Sequence, residues 1–223
     1  MSNYQRFLLI GLLLLSSGCG TTVVLNANFN ADAVGAPPAS TQSVGTVRVN
    51  RGDGEVVVVA APDEHFADQR WVRISHPASP SRETELLANC TTAGPGRYGL
   101  LTRLFIPSGA GVVTVQFEAV NGVADFFHLD FMPEGNVRVD DGTLRFGSFP
   151  RDQAFLLSVV LTITNTGATA AVELLSGGTG STTVTIQPPF TGAARQFGAI
   201  RFWVGFEHRA TFFVDDILVT RRN

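Results

Sequence analysis

From residue 44 to the C-terminus, apolar and polar positions alternate with a period of two almost without interruption. The alternation predicts strands over 44–50, 55–60, 70–75, 84–91, 97–106, 111–120, 125–131, 135–139, 143–147, 155–164, 169–175, 181–187, 197–207 and 210–220. Turn residues punctuate the runs: Arg51-Gly52-Asp53-Gly54, Pro77 to Pro80, Gly94-Pro95-Gly96, Asn121-Gly122 and Gly177-Gly178. Upstream, Thr21 to Leu25 read as one short strand, followed by an irregular loop through Pro37-Pro38. No stretch holds a 3.6-residue apolar period over three turns. So many strands joined by short turns predict an all-β chain, two antiparallel sheets face to face in a β-sandwich or jelly roll. Residues 44–223 contain no Pro/Ser-rich linker and are expected to form one domain, with 19–43 supplying the first strand and loop.

Alternation also sorts side chains by face. Ile200, Phe202, Val204 and Phe206 form an inward row, so Arg201, Trp203 and Glu207 point outward. Phe127, Leu129 and Phe131 oppose Phe126, His128 and Asp130, while Val113, Val115 and Phe117 leave Gln116 and Glu118 outward. Arg97 and Arg103 share the outward parity of their strand. If these strands share one sheet, its outer face carries the chemistry of a sugar site. An aromatic ring stacks on a pyranose, and Arg, Gln and carboxylates bond its hydroxyls. The same parity describes an ordinary solvated face with cross-strand ion pairs. Trp71 shares parity with Arg73 and Ser75 and is expected to be half-exposed. Arg51-Gly52-Asp53 is read as a turn.

Composition narrows the chemistry. The 16 cations are all arginine, so Schiff-base, phosphate-loop and Ser–Lys chemistries are excluded. A formal charge of −3 without a basic patch argues against a nucleic-acid partner. Two Cys and four His leave little room for a soft-ligand metal site. Cys90 sits in an apolar run and is expected to be a buried, inert thiol.

The order Leu101 to Gly109, Val113 to Glu118, Phe126 to Phe131, Val137 to Gly142, Val159 to Thr164 and the closing Thr211-Phe-Phe-Val214-Asp215-Asp216-Ile217 resembles the concanavalin A-like lectin/glucanase superfamily. Its laminin G-like and carbohydrate-binding-module branches are nearest in style. The resemblance implies a jelly roll and carries little about activity. Retaining glucanases of this superfamily carry Glu-x-Asp-x-x-Glu or Glu-x-Asp-x-Glu on one strand, and a carboxylate pair must flank the glycosidic bond. Here His128-Leu-Asp130-Phe-Met-Pro133-Glu134 lacks the nucleophile. Glu83-Thr84-Glu85-Leu86 weakly resembles a block of alginate-lyase-like jelly rolls, but their Gln-x-His and Tyr-x-Lys segments are absent. The resemblance further implies a structural calcium between the N-terminal strand and the closing strand. Asn28, Asn30 and Asp32 at one end, and Asp215 and Asp216 at the other, offer hard oxygen ligands.

The N-terminus gives an address. One Arg, the apolar run Phe7 to Leu15 and Ser16-Ser17-Gly18-Cys19 form a secretory signal too short to span a bilayer. Its end resembles the bacterial lipoprotein cleavage box, with Ser16 where that family usually has Leu. The resemblance implies removal of 1–18, acylation of Cys19 and an outer-membrane lipoprotein facing the periplasm or the surface. Expected partners are the membrane, through that anchor, and a polysaccharide or glycoconjugate on a face made of Trp203, Arg201, Glu207, His128, Asp130, Arg103, Gln116 and Glu118. Two other readings stand beside this one: a structural or assembly lipoprotein binding another envelope protein, and an unrecognised polysaccharide hydrolase or lyase with Glu118, Asp130 and Glu207 as its acids.

Overall fold

The computed structural model describes residues 20–77, 82–91, 94–140, 142–186, 195–205 and 207–222. Cys19 and the signal segment lie outside them. Strands in chain order are β1 (Thr21–Ala27), β2 (Thr46–Asn50), β3 (Glu55–Ala60), β4 (Arg70–His76), β5 (Thr84–Asn89), β6 (Gly96–Phe105), β7 (Val113–Ala119) and β8 (Asp125–Phe131). They continue as β9 (Val137–Val139), β10 (Arg145–Phe146), β11 (Ala154–Ile163), β12 (Ala168–Leu175), β13 (Ser181–Ile186), β14 (Phe197–Val204) and β15 (Ala210–Arg222). The period-two reading placed these strands to within a few residues, and the all-β sandwich it predicted is the architecture observed.

Two antiparallel sheets form. The larger runs β13-β12-β11-β6-β15-β4-β3, with β1 also paired to β15. The smaller runs β10-β9-β8-β7-β14-β5-β2. Their inward rows meet in one apolar interior, where Phe117 and Phe127 stack at 4.4 Å and Phe197 packs edge-on to Tyr98 at 5.1 Å. A smaller apolar cluster lies apart from that interior. Trp71, Phe105 and Ala154 pack there with Phe66 and Phe213. Trp71 is therefore fully buried, not half-exposed as its parity suggested, because the 61–69 segment folds Phe66 against it.

The strand β15 has two neighbours on one edge. Its first half pairs with β4 from Ala210 to Val214, its second with β1 from Ile217 to Arg222, and β6 lines the opposite edge. The register breaks between Asp215 and Leu218, and Asp216 takes a φ of 50°. That left-handed backbone is costly for most residues and tolerated by Asp. Buried Thr102 donates its hydroxyl to the Asp215 carbonyl at 3.1 Å, which satisfies a group the bulge takes out of the ladder. The Arg51-Gly52-Asp53 turn is pressed against the segment that leads into β5. A Cβ on Gly52 would stand 2.0 Å from the Glu83 carbonyl oxygen, so only glycine fits there.

Cys90 is only partly buried by surface, yet it packs against the core, and burial pushes its thiol up to about 12. The thiolate is the reactive form. In a Cys19→Ala protein at pH 8, a disulfide-exchange reagent is expected to label Cys90 slowly in the native state and rapidly in denaturant. Equal rates in both would contradict the packing.

Candidate functional site

The outward face of the smaller sheet is built on three neighbouring strands, β8, β7 and β14. Registers align it in rows. Asp130 stands opposite Thr114, and Thr114 opposite Trp203; His128 stands opposite Gln116, and Gln116 opposite Arg201. On the next strand Glu85 stands opposite Trp203. The structure thus brings together Trp203, Arg201, His128, Asp130, Gln116 and Glu118, and adds Glu83 and Glu85, which parity arguments on the other strands had not reached.

Two nominated residues do not join them. Arg103 lies on β6 in the larger sheet, and Arg97 goes with it. Alternation fixes which side of a strand a residue takes but not which sheet the strand enters. Glu207 is exposed in the turn after Val204, where β14 has ended, and Phe206 falls outside the described residues. Phe126 also moves. The β7–β8 register shifts between Phe117 and Glu118, so Asp125 faces Glu118 and Phe126 turns into the core beside Phe197.

The outward side chains of β7, and Asp130 beside them on β8, are far from solvated. Thr114 and Asp130 are each 4% exposed, and Gln116 and Glu118 are each 8% exposed. A plain solvated face would leave such groups open, so the longer side chains around them wall the surface in. Asp130 is fully committed: Thr114 donates to it at 2.7 Å, and Arg138 donates through Nε at 3.1 Å and Nη2 at 2.6 Å. His128 lies 3.8 Å from Asp130 and 3.5 Å from Asp140. Arg201 donates to both Glu85 and Glu83, and its guanidinium lies 4.8 Å from the Trp203 ring centre. Three groups keep unused capacity, the first being the Trp203 Nε1–H, which is buried without a hydrogen-bond partner among the described residues. Gln116 has no hydrogen-bond partner among the described residues. Glu118 has only the Arg201 Nε, at 4.0 Å.

The expected metal ligands converge too, at the β15 bulge on the other sheet. Asn28 donates from Nδ2 to Asp216 Oδ1 at 3.0 Å, and Arg103 Nη1 pairs with Asp216 Oδ2 at 2.7 Å. The Asn28 Oδ1 caps the turn by accepting from the Asn30 N–H at 3.1 Å, and the Asn30 Oδ1 accepts from the Arg70 N–H at 2.7 Å. Those side-chain oxygens are engaged by protein donors, as is Asp32 through Ala39. Asp215 differs. It is fully buried, and neither carboxylate oxygen has a hydrogen-bond partner among the described residues. Burial, then the neighbouring Asp216, pushes its carboxyl up to about 8, against the pull of Arg103. The amides of Phe29 and Asp216 lie near it without completing hydrogen bonds.

No family model and no curated protein matches the chain by sequence. Solved structures do match. A conserved carbohydrate esterase from the Shiga toxin-encoding bacteriophage phi24B superposes with a TM-score of 0.59 at 14% identity, over 92% of this chain and 100% of that one. An endo-1,3-beta-glucanase from Streptomyces sioyaensis gives a TM-score of 0.56 at 13% identity, over 92% and 98%. The lectin UEA-II, solved with galactose, gives 0.51 at 7% identity, over 93% and 100%. A sialidase matches with a TM-score of 0.56 at 10% identity, but this chain spans 18% of its length. The likeness to these esterase, glucanase and lectin structures is, at these identities, one of fold: the antiparallel two-sheet β-sandwich.

Burial raises the Glu118 carboxyl above its ordinary value; Arg201 opposes this, and Asp125 and Glu85 add to it. A carboxyl that holds its proton more tightly when folded favours the fold at low pH. It costs stability as pH rises past the unfolded value near 4.5, and the cost is complete above the folded value. Glu118→Gln is expected to raise the melting temperature at pH 8 by about 2–4 °C, the shift ~1 kcal/mol produces in a chain of this size. At pH 4 the two proteins should melt together. An unchanged difference at both pH values would remove Glu118 from this account.

Proposed function

We propose that the outward face of β8, β7 and β14 is a glycan-binding surface, and that the protein binds without catalysis. The observation that carries this is Gln116, an amide on the centre of the face, 8% exposed and without a hydrogen-bond partner among the described residues. Its amide atoms still reach solvent, and a sugar hydroxyl can replace the water there, both donating to the amide and accepting from it. Trp203, diagonal to it, is partly exposed and carries the Arg201 guanidinium 4.8 Å from its ring centre, and the ring area that Arg201 leaves uncovered is what it offers a pyranose. Non-catalysis is supported by the fate of two of the three nominated acids: Asp130 is spent on Thr114 and Arg138, and Glu207 lies off the face, so Glu118 keeps neither of them as the second carboxylate that a glycosidic bond must have on its other side. The envelope-protein reading has less behind it: the exposed large apolar side chains among the described residues, Val34, Val123 and Leu144, sit singly in separate loops. The address proposed is the outer membrane, with Cys19 acylated and the sandwich held at the membrane surface.

On a panel of immobilised neutral, basic and acidic polysaccharides, the protein is expected to retain at least one. Trp203→Ala should weaken that binding about tenfold, the loss of ~1.4 kcal/mol, with little change in melting temperature. Retention of none, or binding indifferent to the substitution, counts against the site.

A calcium ion at the β15 bulge is the second proposal, and Asp215 carries it. Asp215 is buried with no hydrogen-bond partner among the described residues, and its carboxyl, raised to about 8, would ionise at neutral pH with a hard cation beside it. Asn28, Asn30 and Asp216 are engaged with one another and with Arg103 and Arg70 and would have to turn to the ion to bring it the roughly six to eight oxygens that calcium takes. The ion would supply charge compensation and tie β1 to β15. Calcium is expected to raise the melting temperature over that in a chelator, and Asp215→Asn to abolish the difference. A wild-type melting temperature indifferent to calcium sinks the idea.

A further inference from the structure

Charge on the outward face narrows the ligand beyond "glycan". Around Arg201 gather Glu83, Glu85 and Glu118, and Asp125 faces Glu118 across the β7–β8 ladder. Arg201 already pairs with two of those carboxylates, so it offers no free fork to a uronate or a sulfate. Across the face, Arg138 is likewise held by Asp130. Arg48 has no carboxylate partner among the described residues, but it stands on the edge strand β2, three strands and about 14 Å from β7 at ~4.8 Å per strand.

Glu118 is the decisive group. It is 8% exposed and, among the described residues, accepts no hydrogen bond and has its nearest cation at 4.0 Å. Gln116, the unpartnered amide two residues away on the same strand, shares its outward parity. A largely buried carboxylate with so little compensation is stabilised by a ligand that brings a donor and a positive charge. Trp203 stands four residues along β14 from Ala199, the residue opposite Glu118, so about 13 Å separates the ring from the carboxylate; a ligand several sugar units long reaches both and presents an apolar ring face, which a lysine side chain or a polyamine lacks.

We propose that this face takes an amine-bearing glycan, a polymer containing deacetylated hexosamine, with the ammonium group at Glu118 and Asp125, and that it disfavours acidic polysaccharides. The proposal rests on the glycan reading of the same face and names its ligand class.

The test is calorimetric titration of the protein at pH 6 with four probes of matched length: a glucosamine hexamer, an N-acetylglucosamine hexamer, a uronic acid hexamer and a lysine hexamer. The glucosamine hexamer is expected to bind about tenfold more tightly than its acetylated counterpart, the difference one charge-assisted hydrogen bond makes. That advantage should shrink with added salt, and shrink again in Glu118→Gln and in Asp125→Asn, whose side chain is exposed and so not needed for folding. Trp203→Ala should weaken both neutral and basic sugars alike. Equal affinity for the acetylated hexamer, or tighter binding of the uronic acid hexamer, overturns the amine proposal and leaves the glycan reading intact. A lysine hexamer that binds as well as the glucosamine hexamer also overturns it, since charge alone would then suffice. If no hexamer binds, the glycan reading falls and the amine proposal falls with it.

Discussion

A single long strand has to serve three neighbours, and the rest of the sandwich is arranged around how it does so. Along one edge β15 pairs first with β4 and then with β1, while β6 follows it along the other. A continuous pleat cannot hand one edge from β4 to β1 without losing phase, and the bulge at Asp215–Asp216 absorbs the slip. The cost is local and visible. Asp216 adopts a left-handed backbone, and the Asp215 side chain is driven into a fully buried position without hydrogen-bond partners among the described residues. The return is also visible: Thr102, Asn28 and Arg103 converge on the bulge and tie the first strand, a central strand and the closing strand together.

Much of this was legible from alternation, because a period of two is a direct consequence of pleated backbone with one face buried. Every strand predicted from residue 44 onward exists. The sheet face proposed for Gln116, Glu118, His128, Asp130, Arg201 and Trp203 also exists, since three strands of like parity happened to be neighbours. What alternation cannot encode is sheet membership, and Arg103 fell to that. Nor can it encode a change of phase within a strand, which exchanged Phe126 for Asp125 on the outward face. Trp71 shows a third limit. Its parity is outward, but a loop residue from elsewhere, Phe66, closes over it.

The expected metal ligands illustrate how proximity and availability differ. Sequence reading took Asn28, Asn30, Asp215 and Asp216 as a ligand set because they flank the two terminal strands. They do meet, yet three of the four meet each other or a neighbouring donor first. Their short polar side chains cap a 3-10 turn and a bulge, tasks that Asn and Asp perform commonly and that leave no composition signal distinct from metal binding. Only the burial and the missing hydrogen bonds of Asp215 separate the two roles, and both are properties of the folded chain.

The same distinction decides the outward face. An arginine in a sequence is a free positive charge until its partners are known, and a free arginine fork suits an acidic sugar. Folding reverses the sign. Arg201 is held by the Glu83–Glu85 pair, whose approach depends on the glycine turn at Gly52 packing under the Glu83 carbonyl. Arg138 is held by Asp130. Arg48 stands at the edge of the face, and what remains uncommitted at its centre is an amide, a carboxylate and an indole N–H, those of Gln116, Glu118 and Trp203. Their burial costs the fold stability that a solvated surface would not, which is the usual expense of a site prepared for a ligand rather than for the protein itself. A recognition surface is therefore read from the donors and acceptors the fold leaves over, and here the surplus is negative.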